Sequence, residues 1–99
     1  MALSWFDANE EKALGVSLAQ FFVGQHPADS ADMRGTFTAD GREETLAAMA
    51  GQLMQFKQEH ALNIYKKAQF ANAFKWALKE AGYDPAYIAQ LTNWLLLRL

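Results

Sequence analysis

The chain has 99 residues, of which 52% are hydrophobic and 20% are charged, and its formal net charge at neutral pH is −2. This length predicts one domain over residues 1–99, and the near balance of charge argues against a global field that attracts nucleic acid or anionic membranes. The sequence has no cysteine, which excludes disulfides, thiolate zinc sites and cysteine nucleophiles.

Charge is distributed unevenly along the chain. Residues 1–50 contain eight acidic and three basic residues, whereas residues 51–99 contain three acidic and six basic ones. We therefore expect any anion-facing surface in the second half. The first seven residues lack the basic and long apolar regions of a secretory signal, and no apolar run approaches the roughly 20 residues that span a bilayer. These features predict a cytoplasmic protein.

The composition favours helices, because eighteen alanines stand against only eight valine, isoleucine and threonine residues. We predict an all-α fold, a small bundle of about four helices. The first helix is expected over residues 5–23, capped by Asp7 with Glu10 or by Ser4 with Asp7, and ended by Gly24. Its core face consists of apolar residues at helical spacing, Leu14, Leu18, Phe21 and Phe22.

A polar segment over residues 25–40 predicts one long loop between helices 1 and 2. Asp40 and Glu43 then form a second capping-box pattern, which predicts a helix over residues 41–59. The expected core face of this helix consists of Leu46, Met49, Ala50, Leu53 and Phe56.

The third helix is predicted over residues 63–81, with Asn63 as its N-cap and Gly82 just beyond its end. Its core face is expected to contain five residues, Phe70, Phe74, Ala77, Leu78 and Ala81. A second face carries Tyr65 and Trp76 together with lysines.

The fourth helix is predicted over residues 85–98, with Asp84 as its N-cap and Pro85 in the first turn. Its core face contains Ile88, Leu91, Leu95 and Leu99. Trp94 and Leu97 point away from that face and give the end of the chain a second apolar surface.

Aromatic residues outside the core faces have two interpretations. Trp5 and Trp76 either pack against a third helix of the bundle or contribute to an interface. For Trp94 and Leu97 we favour a protein interface, because tryptophan is a common anchor residue, and we place Tyr65 and Trp76 second. The expected partner is a second copy of the chain, since symmetric homodimers are the commonest oligomers, or else another protein.

The lysines of residues 57–79 support an alternative. Tyr65 and Trp76 offer rings that stack on bases, and three neighbouring lysines, Lys66, Lys75 and Lys79, offer charges for phosphates. This pattern is compatible with a nucleic-acid accessory protein, but we favour ordinary solvated helix surface as its explanation, because lysine is a common residue on exposed helix faces.

The sequence contains no motif that predicts catalysis. Residues 15–19 resemble a nucleophile elbow only in part and lie inside a predicted helix instead of between a strand and a helix. His26 and His60 have no partner at metal-ligand spacing, and His60 is expected on a solvated helix end. Two acidic pairs lie in first helical turns, where negative charge interacts favourably with the helix dipole. The pairs are Glu10–Glu11 and Glu43–Glu44. We predict no enzymatic activity, metal, cofactor or small-molecule substrate.

Overall fold

The structure is a computed structural model that describes residues 8–25, 43–60 and 62–99. Within these ranges the chain forms four α-helices and no strand, which confirms the all-α prediction. The helices are α1 (Asn9–Gln25), α2 (Glu43–Glu59), α3 (Ile64–Glu80) and α4 (Pro85–Leu96). In the described part of the chain, no helix has the length and apolar character needed to cross a membrane.

The first helix extends beyond its predicted end. Gly24 lies inside the last turn of α1 and Gln25 is still helical, so the prediction that Gly24 ends this helix is wrong. Among the described glycines only Gly82 has a positive φ, 93°, so Gly24 does not adopt the left-handed conformation that ends helices. The rest of the predicted loop, together with three predicted capping residues, lies outside the described residues: Ser4, Asp7 and Asp40.

The N-caps of the last two helices are confirmed. The Asn63 side chain accepts a hydrogen bond from the main-chain N–H three residues later at 2.8 Å. The Asp84 carboxylate accepts one from the N–H two residues later at 2.9 Å. The helix α4 ends at Leu96, with Leu97 as its C-cap residue, and is therefore shorter than the predicted helix, which ended at residue 98.

The helices α1 and α3 run in the same direction and lie in direct contact. Gly15 faces the main chain of α3 at Phe70 and Phe74. Further along α1, Phe22 reaches Tyr83 beyond the end of α3, with ring centroids 5.9 Å apart. The helix α4 then returns antiparallel to α3, which places the end of the chain beside the start of α3. There, Lys67 Nζ lies 3.4 Å from the main-chain oxygen of Leu99.

The core combines one face from each helix. Predicted core residues that are buried are Leu18, Phe22, Leu46, Met49, Leu53, Phe70, Phe74, Leu78, Ile88, Leu91 and Leu95. Others are only partly buried: Leu14, Phe21, Ala50, Phe56, Ala77, Ala81 and Leu99. Tyr83 and Tyr87 also belong to the core, although their spacing does not predict it, and their rings pack against Phe22 with centroid distances of 5.9 and 6.2 Å.

Candidate protein-binding surfaces of α3 and α4

An open groove separates the exposed edges of α3 and α4. The part beside the start of α4 has a volume of about 400 Å³ and is lined by Asn72, Lys75, Trp76 and Lys79 of α3 and by Pro85, Ile88 and Ala89 of α4. The α3 residues have the spacing of a single helical face, as do the α4 residues. We call this feature the α3–α4 groove.

The groove continues towards the end of α4. A second hollow of about 350 Å³ is lined by Lys75, Ala89, Gln90, Thr92, Asn93 and Leu96. Lys75 and Ala89 line both hollows, so the two form one channel. The channel follows α4 from Pro85 to Leu96, a rise of roughly 16 Å at 1.5 Å per residue.

The two walls of the α3–α4 groove differ in chemistry. Trp76 is 60% exposed on the α3 wall, between Lys75 and Lys79 in sequence. The lining residues of the α4 wall carry no charge, and no acidic residue lines the groove in the described part of the chain. The groove therefore combines an accessible aromatic ring, two positive charges and an uncharged opposite wall.

Trp94 is partly buried and packs against the core. The guanidinium carbon of Arg98 lies 3.4 Å from its ring centroid, within the range of a cation–π contact. Nη1 of Arg98 also donates a hydrogen bond to the Trp94 carbonyl oxygen at 2.8 Å. Of the two predicted anchors at the chain end, Trp94 thus contacts both the core and Arg98, and only part of it is accessible.

Leu97, the other predicted anchor, is 76% exposed. Large exposed hydrophobic side chains in the described residues include Ile64 at 85% on α3 and Met54 at 55% on α2. Ile64 begins α3 at the end of the helix pair where the chain finishes. The α3–α4 pair therefore exposes three large apolar side chains, Ile64, Trp76 and Leu97.

The structure separates the residues of the predicted lysine and aromatic face into two groups. Lys75, Lys79 and Trp76 come together in the α3–α4 groove. Tyr65 and Lys66 lie in the first turn of α3, are partly buried, and are not among the residues that line this groove. The proposed nucleic-acid face is therefore shorter than the sequence predicts.

His60 lies at the end of α2, as expected, but its side chain is only 31% exposed and is not free in solvent. Its Nε2 forms a close contact with the Glu10 carboxylate of α1. Its Nδ1 donates to the Phe56 carbonyl oxygen at 3.1 Å, and the two rings stack with centroids 3.9 Å apart. The four-residue spacing of Phe56 and His60 places their side chains next to each other on a helix, so the stacking could be predicted from the sequence. The contact between His60 and Glu10 depends on how α1 and α2 pack and could not.

The acidic pairs confirm their predicted positions, since Glu10 and Glu11 lie in the first turn of α1 and Glu43 and Glu44 in that of α2. Glu11 is nevertheless buried, and it lines a very small gap together with Lys67.

Residues 15–19 lie within α1, where Gly15 allows this helix to approach the main chain of α3 closely. No group of three potential metal ligands occurs in the described residues.

Comparisons of the chain with protein-family models, with curated proteins and with solved structures give no match.

Proposed function

We propose that this chain is a non-catalytic helical protein that acts by protein–protein association through the apolar surface of its C-terminal helix. The observation that carries the proposal is the exposure of Ile64 and Leu97 at the end of the α3–α4 pair where the chain finishes. Exposed apolar side chains grouped on one part of a surface are typical of association sites. We expect a symmetric homodimer as the simplest assembly, with another protein as the alternative partner.

Leu97 is the central anchor of the proposed interface. It follows directly on α4 and is 76% exposed, while Leu95 two residues earlier is fully buried. The accessible part of Trp94 extends the surface, and the Arg98 guanidinium over its ring supplies a polar rim. Burial of these apolar groups favours association without requiring opposite charges, so the dimer should resist added salt.

Solution mass tests this proposal. Light scattering after size exclusion should give twice the 11.1 kDa mass of one chain for the wild type, at both low and high salt. The Leu97→Ser variant should have the mass of one chain and an unchanged helical circular dichroism spectrum. Met54→Ser is the matched control, because Met54 is also exposed but lies on α2. A wild-type mass of one chain at all concentrations would refute the homodimer.

A nucleic-acid accessory function is the second candidate. It is favoured by the presence of Lys75, Lys79 and Trp76 in one groove. Phosphate contacts release counterions, so binding of a single-stranded oligonucleotide at this groove should weaken steeply with salt. Binding that is absent at low salt would exclude this candidate.

A further inference from the structure

We propose that the α3–α4 groove binds an acidic amphipathic helix of a partner protein. This site is separate from the self-association surface, because neither Leu97 nor Ile64 lines the groove. The proposal goes beyond association in general by naming the chemistry of the partner segment. It has three supports: the shape of the groove, its apolar contacts and its charge.

The shape matches a helix. Two antiparallel helices leave a channel between their exposed edges, and every residue that lines it belongs to α3 or α4 within the described part of the chain. The length of roughly 16 Å along α4 corresponds to about three turns of a docked helix. An amphipathic helix in an apolar groove is a recurrent recognition mode. An open channel of this kind suits a chain segment better than a small molecule, which normally requires an enclosed pocket.

The apolar contacts supply most of the binding energy. Trp76 is 60% exposed on the α3 wall, and Pro85, Ile88 and Ala89 form the opposite wall. A leucine or phenylalanine side chain placed between these walls would bury the exposed part of the Trp76 ring. Tryptophan is one of the residues most often found to dominate interface energies.

The charges favour an acidic partner. Lys75 and Lys79 are four residues apart on one helix face, a rise of about 6 Å along its axis. Two carboxylates four residues apart on a docked helix have the same spacing. With no acidic residue lining the described groove, the two lysines favour negative partners.

The uncharged α4 wall argues for a helix rather than a nucleic acid. A nucleic-acid groove normally tracks the phosphate backbone with positive charge. Here the positive charges lie on α3 alone, while the α4 wall presents proline, isoleucine, alanine and leucine together with uncharged polar side chains. This asymmetry matches the apolar and charged faces of an amphipathic helix.

The test uses the full-length protein and a designed three-turn peptide, stapled as a helix and fluorescently labelled. The peptide has leucine and phenylalanine on one face and glutamates beside them, and a second peptide replaces the glutamates by lysines. Binding is measured by fluorescence anisotropy. The groove variant is Lys75→Glu/Lys79→Glu, and the control is Lys12→Glu/Lys57→Glu, which changes net charge equally at exposed positions on α1 and α2.

We expect the acidic peptide to bind the wild type and the control, and to lose at least about tenfold in affinity for the groove variant. The lysine peptide should bind the groove variant more tightly than it binds the wild type. Leu97→Ser should keep peptide binding, so failure of self-association and failure of the groove proposal are distinguishable. Absence of peptide binding, equal losses in both charge-reversed variants, or displacement of the peptide by single-stranded oligothymidine would each overturn the proposal.

Discussion

Gly15 of α1 and Phe70 of α3 approach so closely that a Cβ atom on Gly15 would lie 2.6 Å from the Phe70 carbonyl oxygen. The same atom would lie 3.0 Å from the main-chain nitrogen of Phe74. Main-chain atoms within a helix cannot turn aside as a flexible side chain does, so any larger residue must push the two helices apart. Gly15 thus sets the distance between α1 and α3, and α3 supports the proposed groove.

Gly15→Ala should therefore lower the free energy of unfolding by about 1–3 kcal/mol, the usual cost of overpacking. The loss is expected even though alanine is better than glycine in a helix interior by about 1 kcal/mol. Gly51→Ala on α2 is the matched control, because nothing lies within 4 Å of its added Cβ. That control should gain about 0.5–1 kcal/mol. Equal gains in urea unfolding of both variants would contradict the close contact.

The turn between α3 and α4 gives a second prediction. Gly82 has a φ of 93°, a left-handed conformation that costs other residues about 1–2 kcal/mol. Gly82→Ala should lower the thermal unfolding temperature, whereas Gly82→Asn should lower it less, because asparagine tolerates this conformation better. Identical melting temperatures for the wild type and both variants would contradict the conformation assigned to this turn.

These two glycines show how much of the fold can be predicted from sequence. The positions of Asn63, Gly82 and Asp84 predict helix ends because caps and left-handed glycines act locally. The role of Gly15 could not be predicted, because it depends on which helix faces α1. The prediction for Gly24 fails for a different reason, since a glycine near a helix end is a stop signal only when its backbone becomes left-handed.

Thr92 provides a third prediction. Its side chain is fully buried, and its Oγ1 makes no hydrogen bond within the described structure. A buried hydroxyl without a partner costs about 1–3 kcal/mol, and a valine of similar shape removes that cost. Thr92→Val should therefore be neutral or more stable than the wild type by up to about 2 kcal/mol in urea unfolding. A clear loss of stability would show that the hydroxyl has a partner in solution.

The contact between His60 and Glu10 joins the end of α2 to the start of α1. The Glu10 side chain is 69% exposed, so solvent screens the interaction, and the coupling energy in a double-mutant cycle should not exceed about 1 kcal/mol. His60→Ala should cost more than Glu10→Gln, because it also removes the stacked contact with Phe56. Equal losses for the two variants would argue against the stacking contribution. High salt should reduce the coupling energy.

The candidate site was predictable only in part. The helical spacing of Trp76, Lys75 and Lys79 placed them on one face, and the structure brings them into one groove. The opposite wall does not follow from the sequence, because helical spacing places Ile88 in the core alone, whereas the structure shows that it both packs in the core and lines the groove. The partial burial of Trp94 depends on tertiary packing, which helical periodicity does not describe.

The most direct test of association through the C-terminal helix is an isotope-filtered NOE experiment on a mixture of labelled and unlabelled chains. The account predicts intermolecular NOEs to the Leu97 methyl groups, and none to the methyl group of Met54 on α2. A monomeric mixture without intermolecular NOEs, or contacts centred on Met54, would contradict self-association through this surface.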